Sequence, residues 1–231
     1  MSEEAVFTGF TRETVRFYAE LRENNNRAWF EENRATYEAH VLAPARLFVP
    51  AMGERLKAIV PGIVAVPAVN KSIFRINRDT RFSLDPRPYK TNLGIYFWDR
   101  ARSRMESAGY YVGLEPPDLT LGGGMYMIPD ALLGRYRKAV ADPRRGAEIA
   151  RIVNALRAIP GCAVEGSHYK RVPAGLDPGH RNAELLKHKG LYASFEARVP
   201  PEFFGEEFVD YCFARFAPVA PLHRWLMKLF D

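Results

Sequence analysis

Arg75, Arg78, Arg81 and Lys90 crowd into one stretch, Ser72 to Trp98, that reads SIFRINRDTRFSLDPRPYKTNLGIYFW. A guanidinium group presents a planar fork of donors that pairs bidentately with a carboxylate or a phosphate. Side chains of this type at this density describe a place that prefers anions. Residues 71–104 hold nine Lys and Arg against three Asp, a surplus equal to the formal net charge of +6 for the whole chain. Asn77 adds an uncharged amide, and Tyr96, Trp98, Tyr111 and Tyr126 supply aromatic surface at nearby strand positions. Glu115 could fix a polar group, and Glu115 and Asp79 are the candidates for an acid and base should the chemistry include proton transfer.

Other chemistry has less support in the residue types. The chain has no GxSxG, P-loop or Rossmann fingerprint, so neither nucleophilic hydrolysis nor a particular cofactor can be named. His180, Glu184 and His188 are spaced by four, which would align them on a helix, yet this is not HExxH. Pro178-Gly179 places His180 at the helix edge, so we read a solvated face and assign no metal. His40, His168 and His223 stand alone. Cys162 and Cys212 form no CxxC, and we expect two unpaired thiols in a reducing, cytoplasmic setting. No apolar run has membrane-spanning length, and MSEEAVFTGF lacks the features of a signal peptide.

The elements that must position these residues follow from periodicity. Thr11 caps a helix to about Glu23; Asn24-Asn25-Asn26 turns the chain; a second helix starts near Arg27, and Pro44 opens another with Pro50 inside it. Phe74 and Ile76 alternate with Arg75 and Asn77, as do Leu93, Ile95 and Phe97 with Tyr96 and Trp98. Both segments read as half-buried strands. Residues 110–115 and 119–127 read as two more, joined by Glu115-Pro116-Pro117-Asp118. Helices are expected over 130–141 and 143–158, a short strand near Ala163, a helix over 182–189 capped by Gly190, and a last strand over 191–199. Two C-terminal helices occupy 201–231.

Alternation places Gly94, Gly113, Gly122 and Gly124 on the same face as Arg75, Tyr111, Glu115 and Tyr126. Strand glycines mark close approach, by a ligand or by another backbone. We expect a glycine floor with space above it; the competing expectation is a helix packed on those glycines.

Two segments, NNNRAWFEENR (Asn24 to Arg34) and the arginine-rich stretch, resemble the family called domain of unknown function 2461, as do YYVGLEPPDLTLGGGMYMIP and LDPGHRNAELLKHKGLYA. The resemblance runs from about Phe7 to about Ala193 and is less clear after Pro200. It implies a single α+β domain and carries no catalytic residue. The family's loop commonly reads Ser-Lys-Asp-Lys before Pro-Tyr-Lys; here Leu84 and Arg87 stand in two of those places.

The sequence thus predicts one α+β domain over 1–231, with an antiparallel or mixed sheet of about five strands and helices mainly on one face. The leading functional expectation is a small anionic ligand, carrying phosphate or carboxylate, held by Arg75, Asn77, Arg78, Arg81 and Lys90 beside Tyr96, Trp98, Tyr111, Glu115 and Tyr126. The alternatives are an RNA- or DNA-binding module using the same arginines with aromatic stacking, and an interaction protein whose arginines form structural salt bridges. Whether it is an enzyme, its ligand and its oligomeric state stay open.

Overall fold

The computed structural model describes residues 5–81, 84–104 and 106–231. The fold is α+β. Helices α1 (Arg12–Glu23), α2 (Arg27–Glu32), α3 (Arg34–Tyr37) and α4 (Ala43–Leu56) come first, with a π-helical turn at Glu38–Leu42 joining α3 to α4. Strands β1 (Ile63–Val64), β2 (Leu93–Asp99), β3 (Gly109–Glu115) and β4 (Asp118–Met125) follow. Then come α5 (Asp130–Ala141), α6 (Pro143–Arg157), β5 (Cys162–Ser167), α7 (Ala183–Leu186) and β6 (His188–Arg198), and finally α8 (Phe208–Phe216) and α9 (Ala220–Met227). Six strands make an antiparallel sheet in the order β1-β2-β3-β4-β6-β5. No helix among the described residues is long and apolar enough to cross a membrane.

Two compact units divide the chain. The first comprises residues 1–97, 111–121 and 196–214, and the second residues 98–110, 122–195 and 215–231.

The first unit is held by aromatic packing. Phe10 stacks on Phe203 at 4.7 Å, and the backbone N–H of Phe10 donates to the Phe203 carbonyl. Phe48, fully buried, meets Phe7, Phe10 and Phe208. A second cluster joins Phe17, Phe30 and Tyr37. Each such ring removes a large apolar area from water, the main favourable term in folding.

In the second unit, α5 and α6 are joined at Asp142, whose side chain accepts from the backbone N–H groups of Arg144 and Arg145. Pro143 at the first helical position costs no hydrogen bond there. The buried Asn182 amide donates to the carbonyls of Val140 and Gly146, so that both its N–H groups are satisfied away from water. The ring of Trp225 meets Tyr136 edge-on. Cys162, half-buried here, and Cys212, buried in the first unit, form no disulfide.

Three sequence expectations need correction. Residues 74–77 form no strand; isolated bridges, Ile73 to Ile95 and Asn77 to Tyr89, and single backbone hydrogen bonds such as Phe74 N–H to the Gly94 carbonyl hold this segment. Ile76 is buried and Arg75 and Asn77 are exposed, as alternation predicts, but Phe74 is half-buried and turns its ring toward Tyr111. The helix expected over 182–189 stops at Leu186, and β6 begins at His188. His180, Glu184 and His188 accordingly share no helix face, and no metal-ligand cluster occurs among the described residues.

Candidate functional site

Asn25, just before α2, hydrogen-bonds the arginine-rich stretch through both ends of its side-chain amide. Asn25 Nδ2 donates to the carbonyl of Tyr89, and Asn25 Oδ1 accepts from its N–H, both at 3.0 Å. The side-chain amide thus substitutes for a neighbouring strand. Asn26 next to it caps α2, accepting from the Trp29 N–H at 3.0 Å. Beneath this junction Phe30 stacks on Tyr89, with centroids 4.3 Å apart. On the other side Tyr89 bridges to Asn77, the Arg78 N–H donates to the Pro88 carbonyl, and the Lys90 N–H donates to the Ile76 carbonyl. The base of the loop is closed in register.

These segments enclose a cleft of about 490 Å³ in the first unit. Its polar lining is Arg27, Glu31, Arg34, Glu38, Arg75 and Asn77; Phe30, Tyr37 and Tyr89 give it aromatic surface. Arg34 grips Glu31 with two hydrogen bonds, 2.6 and 2.9 Å, and lies over the Phe30 ring. The Arg34 hydrogen bond holds the Glu31 carboxyl below its ordinary range. Glu38 faces Arg46 at 3.8 Å. Arg27 and Arg75 are exposed, and neither makes an ion pair with another described residue. Two exposed cations that line one cleft, on segments joined by the Asn25–Tyr89 pair, present guanidinium groups of the kind that binds an anion bidentately.

The remaining expected ligands are placed differently. Arg81 binds Asp79 bidentately at 2.9 and 2.7 Å, and Arg87 and Arg78 both bind Asp85. Arg81 holds Asp79 down to about 2, and Arg87 with Arg78 holds Asp85 well below the carboxylate range. Lys90 sits 5.3 Å above the Phe74 ring. Glu115 is exposed and accepts from the Thr91 hydroxyl at 3.4 Å, while Asp79 is taken up by Arg81. Tyr96 and Trp98 are half-buried strand residues. Tyr126 lies in the second unit, in a separate cleft.

Space above the glycines is not realised in the first unit. A Cβ at Gly113 would sit 2.5 Å from the Tyr111 ring, and one at Gly94 would sit 3.0 Å from Phe74 and 3.2 Å from the Tyr111 hydroxyl. Tyr111 lies across its own strand, covers both glycines, and accepts a hydrogen bond from Asn92 at 3.4 Å. In the second unit Gly124 has φ +130°, and a Cβ there would meet the Leu191 carbonyl at 2.5 Å; at Gly122 it would meet only the Ala193 carbonyl, at 3.3 Å. All four glycines are buried, so close packing, not an open floor, explains them.

Sequence reasoning missed Arg27 and Arg34 as cleft residues, although both lie in the Asn24 to Arg34 segment that carried the resemblance. It also left His223 alone, whereas in the second unit its Nε2 lies 3.4 Å from Asp99 Oδ2 and its ring stacks on Tyr110. Burial lowers the affinity of His223 for a proton.

The architecture defines an α+β protein with an arginine-flanked aromatic cleft. The chain belongs to the family described as conserved hypothetical protein (DUF2461), which it matches over residues 13–225. A search of curated proteins returned no match.

Proposed function

We propose that this protein binds a small anionic ligand, bearing a phosphate or carboxylate, in the cleft of the first unit. Arg27 and Arg75 hold the charge and Asn77 contributes an amide, while the buried Phe30, Tyr37 and Tyr89 form the base on which these groups are set. The observation that carries this reading is that Arg27 and Arg75 line one cleft without ion-pair partners among the described residues, while the loop arginines beside them are matched by Asp79 and Asp85. That matching is also the reason to prefer a small anion over RNA or DNA. The groups that would track a nucleic-acid backbone already face carboxylates.

The test is a thermal-shift and calorimetric panel of phosphate- and carboxylate-bearing metabolites against the wild type and an Arg27→Ala, Arg75→Ala double variant. A charge-assisted hydrogen bond contributes about 1.5–3 kcal/mol, so each arginine is expected to strengthen binding by roughly ten- to a hundredfold. Saturable binding by at least one compound class, lost in the double variant, supports the reading. Equal responses of the two proteins would remove it.

A further inference from the structure

The second unit holds a cleft of different chemistry, about 540 Å³, beside the bulged edge strand β5. The register of β5 against β6 shifts between Glu165 and Ser167. The residue between them, Gly166, has φ +107°, and a Cβ on it would lie 2.2 Å from the Gly190 carbonyl oxygen. A Cβ on Gly190 would in turn lie 2.0 Å from the Tyr126 carbonyl oxygen. Three backbone segments therefore touch with no side chain between them, and the cleft has a bare peptide floor. Over that floor stand Tyr126 and Tyr192, ring centroids 5.4 Å apart.

Tyr126 is 78% exposed and Met127 is 60% exposed, although Met125 and Ile128 on either side are buried. Two consecutive large apolar side chains left in water at the mouth of one cleft mark a binding surface. The polar groups beside them are Glu165, Ser167, His168 and Lys189, of which Glu165 is the one carboxylate in the lining. Its Oε2 accepts from the Ser194 hydroxyl at 2.8 Å, and its Oε1 meets no donor among the described residues. Glu165 is thus held by one oxygen and presents the other. Lys189 is drawn toward Asp130 at 3.4 Å. A free carboxylate oxygen disfavours an anion, and the peptide floor disfavours an aliphatic chain. A flat ring with N–H groups on its edge suits both: it stacks on tyrosine and donates to the carboxylate.

We infer that this cleft binds a planar heteroaromatic ring carrying N–H donors, of the nucleobase type, stacked on Tyr126 and hydrogen-bonded to Glu165 Oε1. A free nucleoside and a base of single-stranded nucleic acid share this chemistry. The test titrates the full chain with guanosine, with adenosine, with caffeine as a ring lacking N–H donors, and with a short single-stranded oligonucleotide. Calorimetry gives affinity, and amide shifts at Gly166 and Gly190 give location. Both test residues are exposed, and thermal melting checks that the variants fold.

The expected result is saturable nucleoside binding that weakens roughly tenfold in Tyr126→Ala, the usual effect of losing one stacking partner. Glu165→Gln should weaken guanosine and leave caffeine unchanged. Tighter, salt-sensitive oligonucleotide binding assigns the base to nucleic acid; affinity equal to that of the nucleoside assigns it to the free compound. The absence of saturable binding for all donor-bearing rings at millimolar concentration would overturn the inference, as would affinity unaffected by Tyr126→Ala. Arg75→Ala, in the other unit, should change none of these values.

Discussion

Two arginine-bearing regions of the first unit differ in one respect. In the loop, Arg78, Arg81 and Arg87 each face Asp79 or Asp85. In the cleft, Arg27 and Arg75 line the wall without an ion pair among the described residues. Both regions are rich in the same side chain and both are largely exposed. The loop has satisfied its charge from its own sequence, two residues away in the Asp79–Arg81 and Asp85–Arg87 pairs. The cleft cations Arg27 and Arg75 come from segments far apart in sequence; Arg75 acts on Asp79 through space, but neither cation makes a hydrogen-bonded ion pair among the described residues. A charge surplus counted along the chain cannot separate these cases, because a short-range Asp–Arg pair and an unmatched arginine contribute to different physics: one restrains a loop, the other keeps an attraction available for something else.

The largest effect is expected where both regions hang on one residue. Replacing Asn25 with Ala leaves the N–H and carbonyl of the buried Tyr89 without partners. Each unpaired buried group costs about 1–3 kcal/mol, so the melting temperature should fall by several degrees and anion binding in the cleft should fall with it. A variant with wild-type melting and wild-type binding would show that the two segments are held together elsewhere.

Gly113→Val comes next. Its side chain would collide with the Tyr111 ring, and overpacking of this kind costs about 1–3 kcal/mol. The loss should appear by chemical denaturation without any ligand present. An unchanged midpoint would restore the case for open space over the strand glycines.

Asp79 gives a pH signature of a satisfied charge. Its carboxyl is held down to about 2 by Arg81, below the ordinary value of about 3.9. The folded state therefore favours the ionised form. The resulting contribution to stability is complete above the ordinary value and is lost as pH falls toward about 2. Carbon-detected NMR of the Asp79 carboxyl should show a midpoint near 2 in the wild type and a return toward about 4 in Arg81→Ala. A midpoint near 4 in both proteins would mean that the pair does not persist in solution.

The smallest effect is the stability of Arg81→Ala itself, expected to match wild type because exposed ion pairs contribute little. A clear loss, read from denaturant melts, would make the loop pairs structural supports.

Much of the sheet was legible because β2, β3, β4 and β6 are long enough for alternation to show. β1, only Ile63–Val64, is too short to carry a period. The segment at Phe74–Asn77 alternates in sequence but forms no strand, and its pattern, right for Arg75, Ile76 and Asn77, assigned Phe74 to the wrong surface. Lys187–Gly190 misled in the opposite direction. Gly190 looked like a helix cap, yet it is a strand residue that lets the Tyr126 carbonyl approach. Of the cleft, Arg75 and Asn77 were found through their local density of charge. Arg27 and Arg34 were not, because what brings them there is the Asn25–Tyr89 pairing across 64 positions of sequence, which no local pattern reveals. Tyr111 was correctly placed beside the glycines, but only the structure shows that its ring fills the space they leave.

The most direct test compares Arg75→Ala with Arg81→Ala in one calorimetric titration against the tightest anion from the metabolite panel. Both changes remove one exposed guanidinium from the same arginine-rich stretch of sequence, and both lower the net charge equally. If the unmatched cleft arginine holds the ligand, Arg75→Ala weakens binding by roughly tenfold or more while Arg81→Ala stays within about twofold of wild type. Equal losses in the two variants would mean that only overall charge matters, and would contradict the distinction between a matched and an unmatched arginine.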